Sequence, residues 1–183
     1  EHIPTFDEEI AALRDKNTDL AAWWCGGVDP RDPLAGSVAL ALDALKRNGD
    51  SADLWVLMQE RAFEGLEQDA RVELAARATE TIAAAAREVG GRVGLYNHGG
   101  WFGEPENQMA ILDRVTAPNA GIVYNFHHAH EHLDRLADVF PRLVPRLLCV
   151  NLNGMTPGGE KILPLGQGTW DREMIELVRR SGY

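Results

Sequence analysis

The sequence predicts an α/β fold built on parallel strands, and three observations predict it. Six stretches with helical spacing alternate with five short apolar runs. Such strict alternation argues for parallel strands joined by right-handed crossovers. The apolar runs are mostly continuous rather than alternating, as expected for strands covered on both faces. Polar and aromatic residues gather where each run ends, the side on which α/β proteins bind ligands. A doubly wound sheet and a β/α barrel both fit this order.

The elements follow in sequence. A first helix covers residues 6–16, with Thr5 as N-cap and Glu8 three residues on, the spacing of a capping box. Residues 19–24 read as a strand and 33–47 as a helix that Asn48-Gly49 ends. A strand at 53–58 precedes the longest helix, 69–89, whose Val72, Ala75, Ala76, Ile82, Ala86 and Val89 keep to one face. Gly90-Gly91 stops it, and its many alanines predict close packing on a neighbouring layer. Residues 92–96 form the third strand, and 106–115 a helix with Pro105 at its first turn. The remaining elements are strand 121–125, helix 131–140, strand 147–151 and helix 169–180.

Composition narrows the function classes. The chain of 183 residues is 45% hydrophobic and 25% charged, enough for one domain, 1–183, with a real core. No apolar run approaches the roughly 18 residues of a membrane span. The net charge is -10, and the short arginine patches near Arg142, Arg146, Arg179 and Arg180 read as solvated helix faces. Nucleic acid is therefore not an expected partner, because phosphate binding needs a basic stripe. Cys25 and Cys149 each lie in or beside apolar stretches and read as buried free thiols, with a single disulfide left open. The chain begins at Glu1 rather than Met and no signal segment can be read, so the compartment is left open for a soluble protein, cytoplasmic or exported.

Four of the six histidines, His127, His128, His130 and His132, fall together at a strand exit and helix start. Imidazole moves protons near neutral pH and holds transition metals. Other strand exits supply Trp23-Trp24-Cys25-Gly26-Gly27, then Met58-Gln59-Glu60, Asn97-His98-Gly99-Gly100-Trp101, Asn125, and Asn151-Leu152-Asn153-Gly154. Together they predict one shared pocket. Amides both donate and accept, so Asn97, Asn125, Asn151 and Asn153 suit sugar hydroxyls, and Trp24 and Trp101 suit the apolar side of a sugar ring. Each also has a plainer reading. The asparagines fit caps and loops, Trp55 fits the core, and one of Trp23 and Trp24 must face the core. His132 fits a solvent-facing residue or a local hydrogen-bonder. Adjacent side chains diverge, so His128 with His98 is a better pair than His127 with His128. No Gly-x-Gly-x-x-Gly follows the first strand, and no nucleotide cofactor is expected.

Three segments carry a family resemblance: Gly94-Leu-Tyr-Asn-His-Gly99, Ile122-Val-Tyr-Asn-Phe-His-His128, and Leu163-Pro-Leu-Gly-Gln-Gly168 with the later Ser181-Gly-Tyr183. In this order they resemble the sugar phosphate isomerase/epimerase group. That group belongs to the xylose-isomerase-like TIM-barrel superfamily, which also includes apurinic endonuclease type 2 folds. The resemblance implies a barrel with its site at the strand carboxyl ends. An eight-fold barrel typically takes about 250 residues, so an incomplete barrel is expected here. Either flanking segments or another chain would then cover its edges.

The resemblance further implies one divalent cation (Mn, Mg, Zn or Co) between carboxylates and a histidine, and proton transfer beside a carbonyl. Of the implied ligands this chain keeps His128. Tyr96 stands at the usual Glu, Asn125 at the usual Asp, and Asn151 at the usual His of the next strand. The leading expectation is an isomerase- or epimerase-like enzyme acting on a small carbohydrate, with His128 and His98 as acid/base pair or metal-linked equivalent. Asn97, Trp101, Asn125, His127, Asn151, Asn153 and Trp24 would bind substrate. Two alternatives stand beside it: a carbohydrate-binding module on a degenerate isomerase scaffold, and a metal-dependent lyase or hydrolase with an imidazole-centred site. A homo-oligomer is left open.

Overall fold

A computed structural model describes residues 5–183. Its elements alternate as the sequence predicts: α1 (Phe6–Asp15), β1 (Ala22–Val28), α2 (Gly36–Asn48), β2 (Asp53–Met58), α3 (Gln68–Glu88) and β3 (Val93–Tyr96). Next come a short α4 (Gly100–Gly103), α5 (Pro105–Leu112), β4 (Ala120–Asn125), a 3₁₀ segment (Phe126–His132), α6 (Leu136–Leu143), β5 (Leu147–Asn151) and α7 (Asp171–Ser181). The capping box at α1 is present. The Thr5 amide donates to Glu8 at 2.6 Å, and the Glu8 amide donates to the Thr5 hydroxyl at 3.3 Å.

All strands are parallel, in the order β1-β2-β3-β4-β5. Each crossover therefore moves one step in the same direction, which is barrel winding and not the reversing order of a doubly wound sheet. Among the described residues β1 and β5 do not pair, so the sheet is an incomplete barrel. No helix among the described residues is long and apolar enough to cross a membrane.

Side-chain parity splits the sheet into two faces. Leu54, Val56 and Met58 of β2, Leu95 of β3, and Ile122 and Tyr124 of β4 are buried against the helices. Each such Leu or Ile contributes roughly 1.5–3 kcal/mol by leaving water. The alanines of α3 pack as expected, with Ala75, Ala76, Ala78, Ala83 and Ala86 buried. The opposite face carries Trp24, Trp55, Tyr96, Asn125 and Asn151. Trp23 turns outward, its ring 3.9 Å from that of Phe6, and its neighbour Trp24 turns inward and is 52% exposed. The two tryptophans thus face opposite ways, as a strand requires.

Several element ends shift by a few residues, among them the helix expected at 106–115, which ends at Leu112, and three differences go further. The first strand runs to Val28, past the Gly26-Gly27 pair, because Cys25 and Val28 find partners in Val56 and Met58; Gly27, at φ +68°, forms the irregularity between them. The helix expected at 131–140 is replaced by the 3₁₀ segment and then by α6. Its Pro141 does not end α6, because Leu143 is anchored in the core beside Phe140 and Leu136. Finally, the four residues of α4 form a helix that no periodicity announces.

Candidate active site

The carboxyl ends of β3 and β4 are tied together by one side chain. The Asn97 carbonyl accepts from the Asn125 backbone N–H at 2.7 Å, and its amide group donates to the Asn125 backbone carbonyl at 3.1 Å. Asn97 is completely buried, and this two-way bond replaces the strand pairing that has run out at this level. Below it, α4 turns sharply away. A Cβ at Gly103 would meet the backbone of Asn97 and His98 at 3.1 Å, a tight contact that glycine relieves where this helix lies close to the strand exit. The Glu60 carboxylate, from the β2 exit, accepts from the N–H groups of Trp101 at 2.9 Å and Phe102 at 3.5 Å.

His98 leaves this latch on the open side. Its ring centroid lies 4.4 Å from that of His128, which in turn stacks on His127 at 4.4 Å with 16° between planes. Tyr96 presents its ring to both, 5.8 Å from His128 and 6.4 Å from His98, and stacks on Trp55 at 6.0 Å. Gly94, the register partner of Trp55 on β3, makes room for Val123 of β4, whose side chain a Cβ there would meet at 2.4 Å. The result is a strip of aromatic and imidazole rings on the inner face. Burial holds His128 well below its ordinary value, down to about 4, and the neighbouring His127, His98 and Lys161 push the same way. No carboxylate offsets them, and His128 is an uncharged base at neutral pH. His130 is lowered too, first by burial and then by Lys161 and His127.

Asn125 is held from three sides. Its side-chain oxygen accepts the His127 N–H at 3.0 Å and its amide donates to the Tyr96 hydroxyl at 2.6 Å. Asn151, its register partner on β5, is half-buried, and the Cys149 thiol lies 3.5 Å from its oxygen. Asn153 pins its own loop by donating to the carbonyls of Gly154 at 2.9 Å and Lys161 at 2.7 Å. Trp101 packs away from the imidazoles: its indole N–H donates to Gln68 at 2.7 Å and its ring lies 4.7 Å from Phe63. Trp24 sits on β1, two strands from His98, over Gly26. His132 is buried, 3% exposed, with Nδ1 3.3 Å from the Tyr124 hydroxyl and Nε2 3.5 Å from Glu104, a local hydrogen-bonder.

The carboxylates that could complete a metal centre are engaged elsewhere. Glu60 caps α4, and Glu104 pairs with Arg135 at 2.7 Å and with His132. Among the described residues no group of three or more histidine, cysteine, aspartate or glutamate side chains converges. Two amides and a phenol beside imidazoles bring no charge to balance a dication, so these residues do not fit the cation that the resemblance implies.

Sequence reasoning missed Tyr96 and Trp55 as site residues. Strand parity was the available signal, because both alternate with the buried Leu54, Val56 and Leu95. It also missed the polar group of Tyr124, His132, Glu104, Arg135 and Glu106 beneath the 3₁₀ segment, whose contacts link positions far apart in sequence.

No family model matches the sequence, and no curated protein matches it. Solved structures do. The chain shares the α/β barrel fold of several of them, over part of a barrel. It is similar to the apo form of a 3-keto-D-glucoside 4-epimerase from E. coli, at TM-score 0.69 and 16% identity over 97% of this chain and 73% of that one. It is also similar to a D-tagatose 3-epimerase-like protein, at TM-score 0.69 and 18% identity over 97% of this chain and 72% of that one. A probable 3-DHS dehydratase from Bacillus anthracis matches at TM-score 0.62 and 16% identity, over 95% of this chain and 71% of that one.

Proposed function

We propose that this protein is an isomerase- or epimerase-like enzyme that acts on a small sugar or sugar derivative by proton transfer next to a carbonyl. The observation that carries the reading is the His98–His128 pair. Its rings lie 4.4 Å apart at the exits of adjacent strands, and His128 is kept unprotonated at neutral pH. A free imidazole there takes a proton from the carbon beside a substrate carbonyl. The C–H electron pair becomes the C=C bond of an enediolate, and the carbonyl pair moves onto oxygen. Return of a proton to the same carbon from the other face gives the epimer. Return to the former carbonyl carbon, with the hydroxyl proton of the first carbon passing to the enediolate oxygen, gives the isomer. His98 is the partner placed to exchange that proton. The inner-face rings of Trp55 and Tyr96 offer an apolar floor for a sugar, and Asn125 and Asn151 its polar edge. Epimerases acting on 3-keto-D-glucosides and named for D-tagatose share the fold, which supports this substrate class.

The test is exchange of solvent deuterium into the carbon beside the carbonyl of a 3-keto-D-glucoside or D-tagatose. Wild-type protein should catalyse it, and His128→Ala should slow it by about 10²–10⁴-fold, the usual weight of a positioned base. Unchanged exchange in that variant removes His128 from the role. Among the described residues no metal-binding group forms around His98 and His128, which favours one second reading, a carbohydrate-binding module on this scaffold; saturable sugar binding with no exchange would mark it.

A further inference from the structure

Tyr96 and Asn125 occupy the two positions where the resemblance implies metal-binding carboxylates, and their bonding reverses the chemistry. The amide of Asn125 has one orientation compatible with its neighbours. The His127 backbone N–H, at 3.0 Å, can only donate, so it fixes the side-chain oxygen on that side. The NH₂ group then faces Tyr96, 2.6 Å from its hydroxyl oxygen. The phenol oxygen is therefore an acceptor in this pair, and its own proton must point elsewhere. The hydroxyl donates no hydrogen bond to a described residue, and Tyr96 as a whole is 9% exposed. An O–H group this enclosed is ordinarily paired. The ring is fixed as well, between Trp55 at 6.0 Å and the edge of His128 at 5.8 Å. A carboxylate pair would present lone pairs to a cation, whereas this pair presents a hydrogen to an oxygen.

We infer that the Tyr96 hydroxyl is a substrate-contacting group that donates its hydrogen bond to the carbonyl oxygen of the ligand, with Asn125 as the positioning residue that orients it. This rests on the carbonyl-sugar reading above and assigns the group that receives the developing charge. As His128 takes the carbon-bound proton, the carbonyl electron pair moves onto oxygen, and the Tyr96 O–H stabilises it there. The bond relaxes when the proton returns to carbon, so no oxidant or co-reactant is needed. A donor aimed in advance at the place where charge develops is worth about 10²–10³-fold in rate.

Two readouts on Tyr96→Phe, which keeps the ring stack and removes only the hydroxyl, test the assignment. The first is calorimetric binding of D-tagatose and of a 3-keto-D-glucoside; the second is solvent-deuterium exchange on the same compounds. We expect wild-type protein to bind at least one of them, Tyr96→Phe to bind it about 10-fold more weakly, and exchange to fall about 100-fold, with thermal unfolding unchanged. Asn125→Ala should weaken both readouts less. Equal affinity and equal exchange in wild type and Tyr96→Phe overturn the inference and leave the enzyme reading standing. Wild-type binding without exchange overturns the enzyme reading, and the affinity ratio still decides the inference. No binding of either compound to wild-type protein overturns both. If Tyr96→Phe unfolds, Asn125→Asp keeps the size of the side chain but turns an acceptor towards the phenol, drawing its proton away from the ligand. Its binding should then fall as that of Tyr96→Phe is expected to, and unchanged binding overturns the inference.

Discussion

The two faces of the sheet are made by alternate residues of the same strands, yet they follow different rules. On the outer face Leu54, Val56, Met58, Leu95 and Ile122 meet helices and exclude water completely, so shape and apolar area decide everything. On the inner face Trp55, Tyr96, Asn125 and Asn151 meet no helix layer, and directional bonds and ring stacking hold them. A substitution outside should therefore cost stability, and one inside should cost chemistry. Asn97 joins the two regimes by fixing the height at which β3 and β4 release their site residues.

Four measurements can break or sharpen that contrast. The largest effect on stability should come from Phe140→Ala, a fully buried ring against Tyr124 and Phe126, at about 3–5 kcal/mol by denaturant unfolding. A loss below about 1 kcal/mol would break the division. Asn97→Ala should follow at about 1–3 kcal/mol, because it strands a backbone N–H and carbonyl at the β4 exit. It should also lower sugar binding, which Phe140→Ala at a permissive temperature should not.

Acid gives a third, smaller effect. The native His128 ring resists protonation down to about 4, whereas an unfolded histidine takes its proton near 6.5. Its contribution is thus complete above about pH 6.5 and declines as pH falls towards 4, because the unfolded chain then binds the extra proton. Unfolding of wild type and His128→Gln between pH 7 and 4.5 should show a shallower acid loss in the variant. Equal losses would mean that the ring is protonated as easily in the fold as outside it. The smallest effect belongs to Arg179→Ala. Its pair with Glu176 is exposed and screened by solvent, so its loss should leave the same unfolding curve unchanged.

Much of the frame was legible along the chain. Strands 53–58 and 147–151 fall at their expected bounds, and the capping box of α1 forms, because apolar runs and caps are local signals. Barrel winding needed the resemblance, since alternation alone does not order the strands. The His-rich stretch was placed at a strand exit correctly, but its helix was not foreseen as 3₁₀. The clue lay in Phe126, Ala129 and His132, apolar or buried at every third position. The site was less legible, because its bonds join distant positions. Glu60 reaches Trp101 and Asn97 reaches Asn125 across 41 and 28 residues, and no window of sequence contains both ends. Asp171, at the start of α7, illustrates the same point: it accepts the N–H groups of Met155 at 2.8 Å, Gly166 at 2.6 Å and Gly168 at 3.0 Å.

The seven-residue 3₁₀ segment has a consequence for how this chain can change length. With three residues per turn, each added residue rotates everything after it by about 120°. One residue inserted after Phe126 would carry His128 into the buried position of Ala129 and put His127 in the place of His128. Two would misplace it the other way, and only a whole turn of three would restore the facing. The stretch from 126 to 132 should therefore reject single insertions and deletions, whereas the exposed turn at 157–160 should absorb them.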